Sequence, residues 1–388
     1  MSIFAKQHTR RAVLRYAVTS LALSGLSGCL GLFGRAREKQ LVIHSTDLYH
    51  PFQDYGDTID LLNAYRFPGV ELRGVVLDCT QAFMVPQDKV GPDDFSDRAG
   101  PRVPGIPQVK QLNHIFNTDV PYAISPELRL SSKMDSCRDR SDEQQSGIES
   151  FLDMLRTAPN KVHVTIFGSA RTIAAAYNRE PELLRRKVKM IHICAGCSEP
   201  DYVEWNVRLD PFAMSALLES DLPLAIYPCA SAGSPFSLKE GNTFCQLENL
   251  QFVKRLREPL YRYARFTREK NVSVDPLEYI DSARLPPESS DLWTEAFNSW
   301  ELPIWLQIAG LGIEQTSPGQ FSVVDRQDLS KDMVIDGELH KVYIKSNSNG
   351  TFNISDSSGK KVLLFRRKNP GQYQSAVRSV LPNLLSRY

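Results

Sequence analysis

The chain of 388 residues is 42% hydrophobic and 23% charged, a composition typical of a folded globular protein, which excludes disorder throughout the chain. Its 46 basic and 45 acidic residues give a net charge of +1, too small a field to gather nucleic acid, so nucleic-acid binding is excluded as the leading function. The length allows one large domain or two smaller ones.

Residues 1–29 predict an export signal that ends in a lipidated cysteine. The segment Thr9–Arg15 is a twin-arginine region, and the modestly apolar run Ala17–Leu26 that follows is too short for a permanent membrane anchor. Leu26-Ser27-Gly28-Cys29 resembles the end of a bacterial lipoprotein signal, in which the cysteine is acylated and becomes the first residue of the mature chain. We therefore expect an exported lipoprotein, anchored through Cys29 on the periplasmic face of a membrane or on the cell surface. An ordinary signal peptide or a short anchor helix is the alternative.

The cysteines that follow Cys29 predict no disulfide framework, because their spacing is uneven, although an oxidising compartment would permit disulfides among them. Cys194 and Cys197 have the spacing of a redox motif. They follow a strand-like run, however, and we do not favour a redox function.

Strands and helices alternate from residue 40 onward, after a short linker at residues 30–39. Gln40–His44 is an apolar strand, Thr58–Arg66 has the period of a helix, and Val70–Leu77 is a second strand. This order is a βαβ unit, which implies a parallel sheet with right-handed crossovers.

The same alternation continues after Pro86–Pro107, a stretch rich in Pro, Gly and Asp that predicts a surface loop and a lid at the mouth of a site. The later elements are predicted as helices at Gly147–Ala158, Thr172–Tyr177 and Pro211–Glu219, and as strands at Val162–Phe167, Lys189–Ile193 and Leu222–Tyr227. Residues 40–325 thus predict an α/β domain with a mostly parallel central sheet and helices on both faces.

Residues 326–388 differ in character and predict a small antiparallel C-terminal addition. Short strands are expected at Val334–Ile344, Thr351–Ser355 and Lys361–Phe365, joined by polar turns such as Asn349-Gly350. A closing helix is expected at Tyr373–Leu385.

An acidic loop follows the first strand, and it carries Asp47, Asp54 and Asp57. In open parallel sheets, ligands bind beyond the carboxyl ends of the strands. Crowded carboxylates repel one another unless a cation neutralises them, and hard oxygen ligands suit Ca²⁺ or Mg²⁺. The alternative is that Asp54 and Asp57 cap the following helix, where acidic groups are favoured.

Several segments spread over residues 41 to 313 together resemble the inosine-uridine nucleoside hydrolase family. They are Asp57–Ala64 followed by Pro68–Val75, then Val162–Pro181, and Glu204–Pro211 leading into Leu222–Ala225. The resemblance implies the same α/β fold and hydrolysis of the N-glycosidic bond of ribonucleosides or related N-ribosides, with Ca²⁺ holding the ribose diol and the attacking water.

The resemblance also implies roles for individual residues. Asp47 and Asp57 would bind the metal together with the backbone carbonyl of Phe167, and Asp47 would also accept a proton from the water. Glu204 and Asn206 would hydrogen-bond the sugar hydroxyls.

The chain departs from the family where an acid is expected near the C-terminus. Trp300-Glu301 stands in place of a His-Asp pair, so Glu301 would complete the metal site, whereas Trp300 cannot act as an acid. His50, in an insertion of the acidic loop, is the candidate substitute acid, with a merely exposed loop histidine as the alternative. Asp54, from the same insertion, would bind the substrate. Trp205 would stack on a base or sugar, or would pack in the core.

Three functions remain open. The first is a lipid-anchored hydrolase of nucleosides or N-ribosides. The second is a sugar-binding or nucleoside-binding lipoprotein on the same fold without turnover, and the third is a structural envelope protein. The expected partners are a small nucleoside or riboside and a membrane, but not nucleic acid, and a homo-oligomer is left open.

Overall fold

Apolar strands buried on both faces form the centre of the computed structural model, which describes residues 38–85, 101–330, 334–355 and 357–388. The strands are β1 Gln40–Thr46, β2 Tyr49–His50, β3 Val70–Leu77, β4 Val103–Pro104, β5 Tyr122–Ile124, β6 Val162–Phe167, β7 Val188–Cys194, β8 Leu224–Tyr227, β9 Cys245–Leu247, β10 Phe297–Ser299, β11 Leu311–Ser317, β12 Gln320–Asp325, β13 Glu338–Ser346, β14 Phe352–Ser355 and β15 Lys360–Arg366.

Helices connect these strands, and most of them begin with a proline or a capping side chain in the first turn. They are α1 Gly56–Arg66, α2 Gln81–Met84, α3 Ile106–Phe116, α4 Asp142–Thr157, α5 Arg171–Arg179, α6 Pro181–Lys187, α7 Trp205–Leu209, α8 Pro211–Glu219, α9 Glu258–Arg268, α10 Pro276–Asp281, α11 Leu302–Ala309 and α12 Pro370–Leu385. Short 3-10 helices cover Gln251–Arg255 and Arg326–Asp328.

The largest sheet in the described part of the chain has nine strands in the order β14-β13-β15-β8-β7-β6-β1-β3-β5. All neighbours from β15 to β5 pair in parallel. Every residue of Val162–Phe167 is buried, as expected of a central strand covered on both faces. The predicted fold class, a mostly parallel α/β sheet, is confirmed.

The two faces of this sheet carry separate hydrophobic cores. One core includes residues of α1, α3, α9, α11 and α12, with Trp305 fully buried in it. The other includes residues of α4, α5, α6 and α8. Helices therefore cover both faces, and the carboxyl ends of the parallel strands emerge between them at one edge.

The C-terminal strands extend the central sheet. Strand β15 lies parallel to β8, with Leu363 opposite Ala225, and β13 is antiparallel to both β15 and β14. Helix α12 packs on the first core, and the hydroxyl of Tyr388 donates to Asn63 Oδ1 at 2.9 Å. The predicted antiparallel addition is thus joined to the domain by backbone hydrogen bonds.

Several predicted segments lie outside the described residues, and one predicted loop needs correction. The export signal, Cys29 and most of the linker lie outside them, as do residues 86–100 of the predicted lid. The rest of that predicted loop is partly regular, because Val103–Pro104 pairs with Tyr49–His50 and a helix begins at Ile106. None of the described helices combines the length and apolar character needed to span a membrane.

Candidate functional site

A pocket of about 180 Å³ lies beside the carboxyl ends of β1, β6 and β8. Parallel strands deliver the residues that follow them to the same edge, which is why residues distant in sequence meet here. The pocket is lined by Asp47, Gln53, Asp54, Asp57, Phe167, Glu204, Trp205, Asn206, Cys229, Pro235, Phe236, Trp300 and Glu301. It brings together every predicted site residue of the described chain except His50.

Asp47 is placed by the end of β1. Thr46 pairs with Phe167 on β6, and the backbone N–H of Asp47 donates to the Phe167 carbonyl at 2.9 Å. The residue is only 7% exposed. Burial, with Asp78 and Asp54 adding repulsion, raises the pKa of the Asp47 carboxyl well above its ordinary value.

Helix α1 contributes the next acidic groups. It begins at Gly56, whose N–H donates to Asp54 Oδ1 at 2.7 Å, and Asp54 also lines the pocket. Tyr55 is the N-cap residue of this helix, and no side chain caps it. Asp57 lies in the first turn, and Asp60 follows one turn later on the same side. Burial, followed by the charge of neighbouring carboxylates, raises the pKa of Asp57 well above its ordinary value.

Glu301 closes the acidic side at the start of α11. Its carboxylate accepts from the Trp300 backbone N–H at 2.7 Å and hydrogen-bonds the Asp60 carboxyl. Burial raises the pKa of Glu301 from its ordinary value, and burial together with the charge of Glu301 raises the pKa of Asp60 well above its own. Asp60 was not predicted, although its position one turn after Asp57 is a signal that helical spacing could have supplied.

The chemistry of this acidic side suits a hard divalent cation. The donors are carboxylate oxygens and the Phe167 backbone, which are Ca²⁺ ligands rather than ligands of a soft metal. In the described residues, no three acidic, Cys or His side chains already stand in a metal-holding arrangement. The residues therefore match calcium in kind, and coordination would require their side chains to turn toward a common point.

Glu204 and Asn206 also line the pocket. The Glu204 carboxylate caps α7, accepting from the backbone N–H groups of Gly196 at 2.8 Å and of Asn206 at 3.1 Å. Burial raises the pKa of Glu204 to about 7 against the effect of these hydrogen bonds. The Asn206 side chain donates to the Cys194 carbonyl at 3.0 Å, so both side chains are fixed in place.

Aromatic rings close the remaining walls. Trp205 lines the pocket and stacks on Phe83, with ring centroids 5.9 Å apart. At the rim Trp300 lies 6.2 Å from Phe236 and 5.2 Å from Phe244. Phe236 is 55% exposed, which is unusual for a phenylalanine and leaves its ring available to a ligand.

His50 does not line the pocket, so the structure does not place this predicted acid beside the other candidate site residues. It is 4% exposed, stacked on Phe266 at 4.9 Å, and its ring nitrogens contact the Asn271 carbonyl at 2.6 Å and the Gln108 amide at 3.1 Å. The alternative of an exposed loop histidine is wrong. Burial lowers its pKa, so the ring is a neutral packing group.

Asp78 supports the site and was missed by the sequence analysis. It follows β3 as Asp47 follows β1, which is the signal that could have found it. Its carboxylate accepts from the Ser169 N–H at 2.7 Å, the Ser169 hydroxyl at 2.8 Å and the Ser125 hydroxyl at 3.0 Å. It thereby holds the turn after Phe167 in place.

A buried ion pair organises the neighbouring loops. Arg171 Nε donates to Asp210 Oδ2 at 2.9 Å, and both side chains are fully buried. The Asp210 carboxylate also accepts from the Ala213 N–H at 3.0 Å, and Arg171 donates to the Cys79 carbonyl at 2.7 Å. Asp210 therefore holds together the start of α8 and the loop that contains Cys79 through its pairing with Arg171.

The cysteines of the described chain are free thiols. Cys229 lines the pocket, and its sulfur lies 3.3 Å from that of Cys194. Cys197 instead contacts Glu199, so the redox-like spacing of Cys194 and Cys197 does not bring those two side chains together as a hydrogen-bonded pair.

The known proteins that are similar to this chain share little sequence identity with it. No model of a known protein family matches it. An uncharacterized protein of Schizosaccharomyces pombe is 25% identical over 201 residues, which make up 48% of this chain and 60% of that protein. The chain therefore matches less than two thirds of that curated relative.

Solved structures similar to the chain include nucleoside hydrolases. A plant nucleoside hydrolase is 11% identical with a TM-score of 0.49, covering 90% of this chain and 98% of that one. The inosine-uridine preferring enzyme of Bacillus anthracis is 12% identical with a TM-score of 0.44, covering 90% and 100%. The purine-preferring enzyme of Gardnerella vaginalis is 11% identical with a TM-score of 0.47, again covering 90% and 100%. These likenesses assign no substrate to this chain.

Proposed function

We propose that this protein hydrolyses the N-glycosidic bond of ribonucleosides or related N-ribosides with the help of bound calcium. The observation that carries the proposal is the meeting of two different sets of oxygen donors in one pocket. Asp47, Asp57 and Glu301 supply carboxylate oxygens of the kind that Ca²⁺ prefers, and Glu204 and Asn206 line the same pocket.

Each set would have its own task. Asp47 would accept the proton of the attacking water, and Glu204 and Asn206 would bind sugar hydroxyls in a fixed orientation. When bound, Ca²⁺ would hold the ribose diol and increase the acidity of water. The carboxylates would also stabilise the positive charge that develops on the sugar as the bond breaks.

The purified full-length chain tests this with 4-nitrophenyl riboside, whose leaving group departs without protonation and which therefore reports on the sugar side alone. Calcium-dependent release of nitrophenol is expected. Asp47→Asn should lower kcat/KM by about 10²-fold or more, the usual contribution of a general base. Asp139→Asn, at an exposed position, is the matched control and should keep full activity.

Binding without turnover is the second candidate function, and the absence of His50 from the pocket favours it. Under this alternative, titration calorimetry would give saturable binding of a ribonucleoside, while neither ribose nor nitrophenol would be released at any calcium concentration. Calcium-dependent nitrophenol release that Asp47→Asn abolishes would exclude this alternative.

Export and lipid anchoring form a separate proposal, which the twin-arginine region and the sequence preceding Cys29 support. Wild-type chain expressed in a bacterium is expected in the membrane fraction. Cys29→Ala is expected to lose lipid labelling and to leave that fraction. Continued lipid labelling of the variant would disprove anchoring at this residue.

A further inference from the structure

Among the described residues that line it, the pocket has many acidic side chains and no basic ones. Its described lining contains five carboxylates, those of Asp47, Asp54, Asp57, Glu204 and Glu301, and none of these lining residues is Lys, Arg or His. With all five ionised around one Ca²⁺, five negative charges would stand against two positive ones, and burial, which raises the pKa values of these carboxyls, makes a further positive charge more favourable still. A ligand that enters such a pocket is favoured by a positive charge of its own.

A histidine that could protonate a departing base is also absent from the described lining of the pocket. A neutral nucleobase leaves as an anion unless a group protonates it, and such a group normally contributes a large part of the rate. His50 is held elsewhere by Gln108 and Asn271. Cys229 is a buried thiol, and burial raises its pKa to about 12, so it is a weak acid.

A base that already carries a positive charge needs no such donor. Its glycosidic nitrogen takes the electron pair of the breaking bond and becomes neutral, so the base departs as a stable molecule. Its cleavage therefore does not depend on a histidine acid, which the described lining lacks. The Glu204 carboxyl, with its pKa near 7, is held as an acceptor by the backbone N–H groups of Gly196 and Asn206.

The aromatic rim offers the matching recognition. The rings of Trp205, Phe236 and Trp300 line the same pocket as the carboxylates. Faces of aromatic rings attract cations, most strongly at indole. A flat cationic base would therefore meet aromatic faces while its charge interacts with the carboxylates.

We propose that the substrates are N-ribosides whose base carries a fixed positive charge, such as pyridinium or N7-alkylated purinium ribosides. This rests on the proposed hydrolase function and names its substrate class. Water adds to the anomeric carbon as the carbon–nitrogen bond breaks. The bonding electron pair returns to the ring nitrogen, the proton of water passes to Asp47, and the products are ribose and a neutral base.

The test compares guanosine with 7-methylguanosine, a matched pair that differs in one methyl group and its charge, with nicotinamide riboside as a second cation. The purified full-length chain with calcium is expected to hydrolyse 7-methylguanosine with a kcat/KM about 10²-fold or more above that of guanosine, the range set by a missing general acid. A ratio below about tenfold, or no hydrolysis of either cation, would overturn the substrate class.

Cleavage of 4-nitrophenyl riboside separates this failure from that of the hydrolase function. If it is cleaved while the cationic ribosides are not preferred, only the substrate class is wrong. If neither it nor any N-riboside is cleaved, the hydrolase function is wrong, and the substrate class falls with it.

Recognition by the rim is tested with Phe236→Leu, which keeps an apolar side chain but removes the ring. The inhibition constant of 7-methylguanosine against 4-nitrophenyl riboside should rise about two- to fivefold more than that of guanosine, as expected for an exposed cation–π contact. Phe212→Leu is the control, since Phe212 is 41% exposed and does not line the pocket. An equal change for both inhibitors would overturn the assigned role of the ring.

Discussion

Gly168 approaches Asp47 so closely that a single added methyl group should disturb the proposed base. A Cβ at position 168 would lie 3.1 Å from both the Cβ and the backbone nitrogen of Asp47, and 3.1 Å from Asp78 Oδ2. Bringing these contacts to the ordinary range requires a shift of roughly 0.4 Å. The φ angle of +155° adds strain of about 1–3 kcal/mol for any other residue.

Gly168→Ala is therefore expected to lower kcat/KM for 4-nitrophenyl riboside by about tenfold, since misplacement by 1 Å costs about 10²-fold. Gly319→Ala is the matched control, because Gly319 also has positive φ, +75°, but its added Cβ would have nothing within 4 Å. This control should lose about 1–2 kcal/mol in free energy of unfolding and keep its activity.

Steady-state kinetics and urea unfolding of both variants decide the matter. If Gly168→Ala keeps the kcat/KM of the wild type while being destabilised like Gly319→Ala, the close approach does not position Asp47, and the reasoning is refuted.

Three further predictions concern the carboxylates and the loops. Because the pKa of Asp57 is raised in the folded state, stability in chelator should fall as pH rises above 3.8, and Asp57→Asn should weaken this dependence; equal slopes in urea unfolding at several pH values would contradict it. Asp210→Asn should cost about 3–5 kcal/mol in free energy of unfolding, because it leaves the buried Arg171 charge without its partner; a loss below about 1 kcal/mol would contradict the pairing. Arg367 donates to the Phe244 carbonyl at 2.7 Å, so Arg367→Met should cost about 2 kcal/mol and speed proteolysis between residues 231 and 244, whereas wild-type cleavage there would show that the loop is held otherwise.

The central sheet was predictable because its signals are local. Val70–Leu77, Val162–Phe167 and Pro211–Glu219 have the predicted bounds, since continuous apolar runs and a helix start are written in neighbouring residues. The pairing of Lys360–Arg366 with β8 could not be predicted from polar turns, which indicate local hairpins and not a partner far away in the chain.

The candidate site was predictable where it follows strand ends. The position of Asp47 could be predicted from the end of a strand alone. The position of His50 is set by contacts with Gln108 and Asn271, which lie 58 and 221 residues away in the sequence. Contacts over such separations bury a loop histidine that its own neighbours leave exposed. The same limit applies to the contact between Glu301 and Asp60. The two residues are far apart in the sequence, so their contact could not be predicted from spacing.

The two sides of the pocket are held in different ways, and this determines what cation binding would change. Backbone N–H groups fix the Glu204 carboxylate, including that of Gly196 at 2.8 Å, and such a preorganised group needs no rearrangement to receive a sugar hydroxyl. The Asp57 carboxylate instead faces those of Asp47, Asp54 and Glu301, whose repulsion a divalent cation would relieve. Calcium would therefore act on the acidic side and leave the sugar side in place, so metal and sugar affinities should respond to different substitutions.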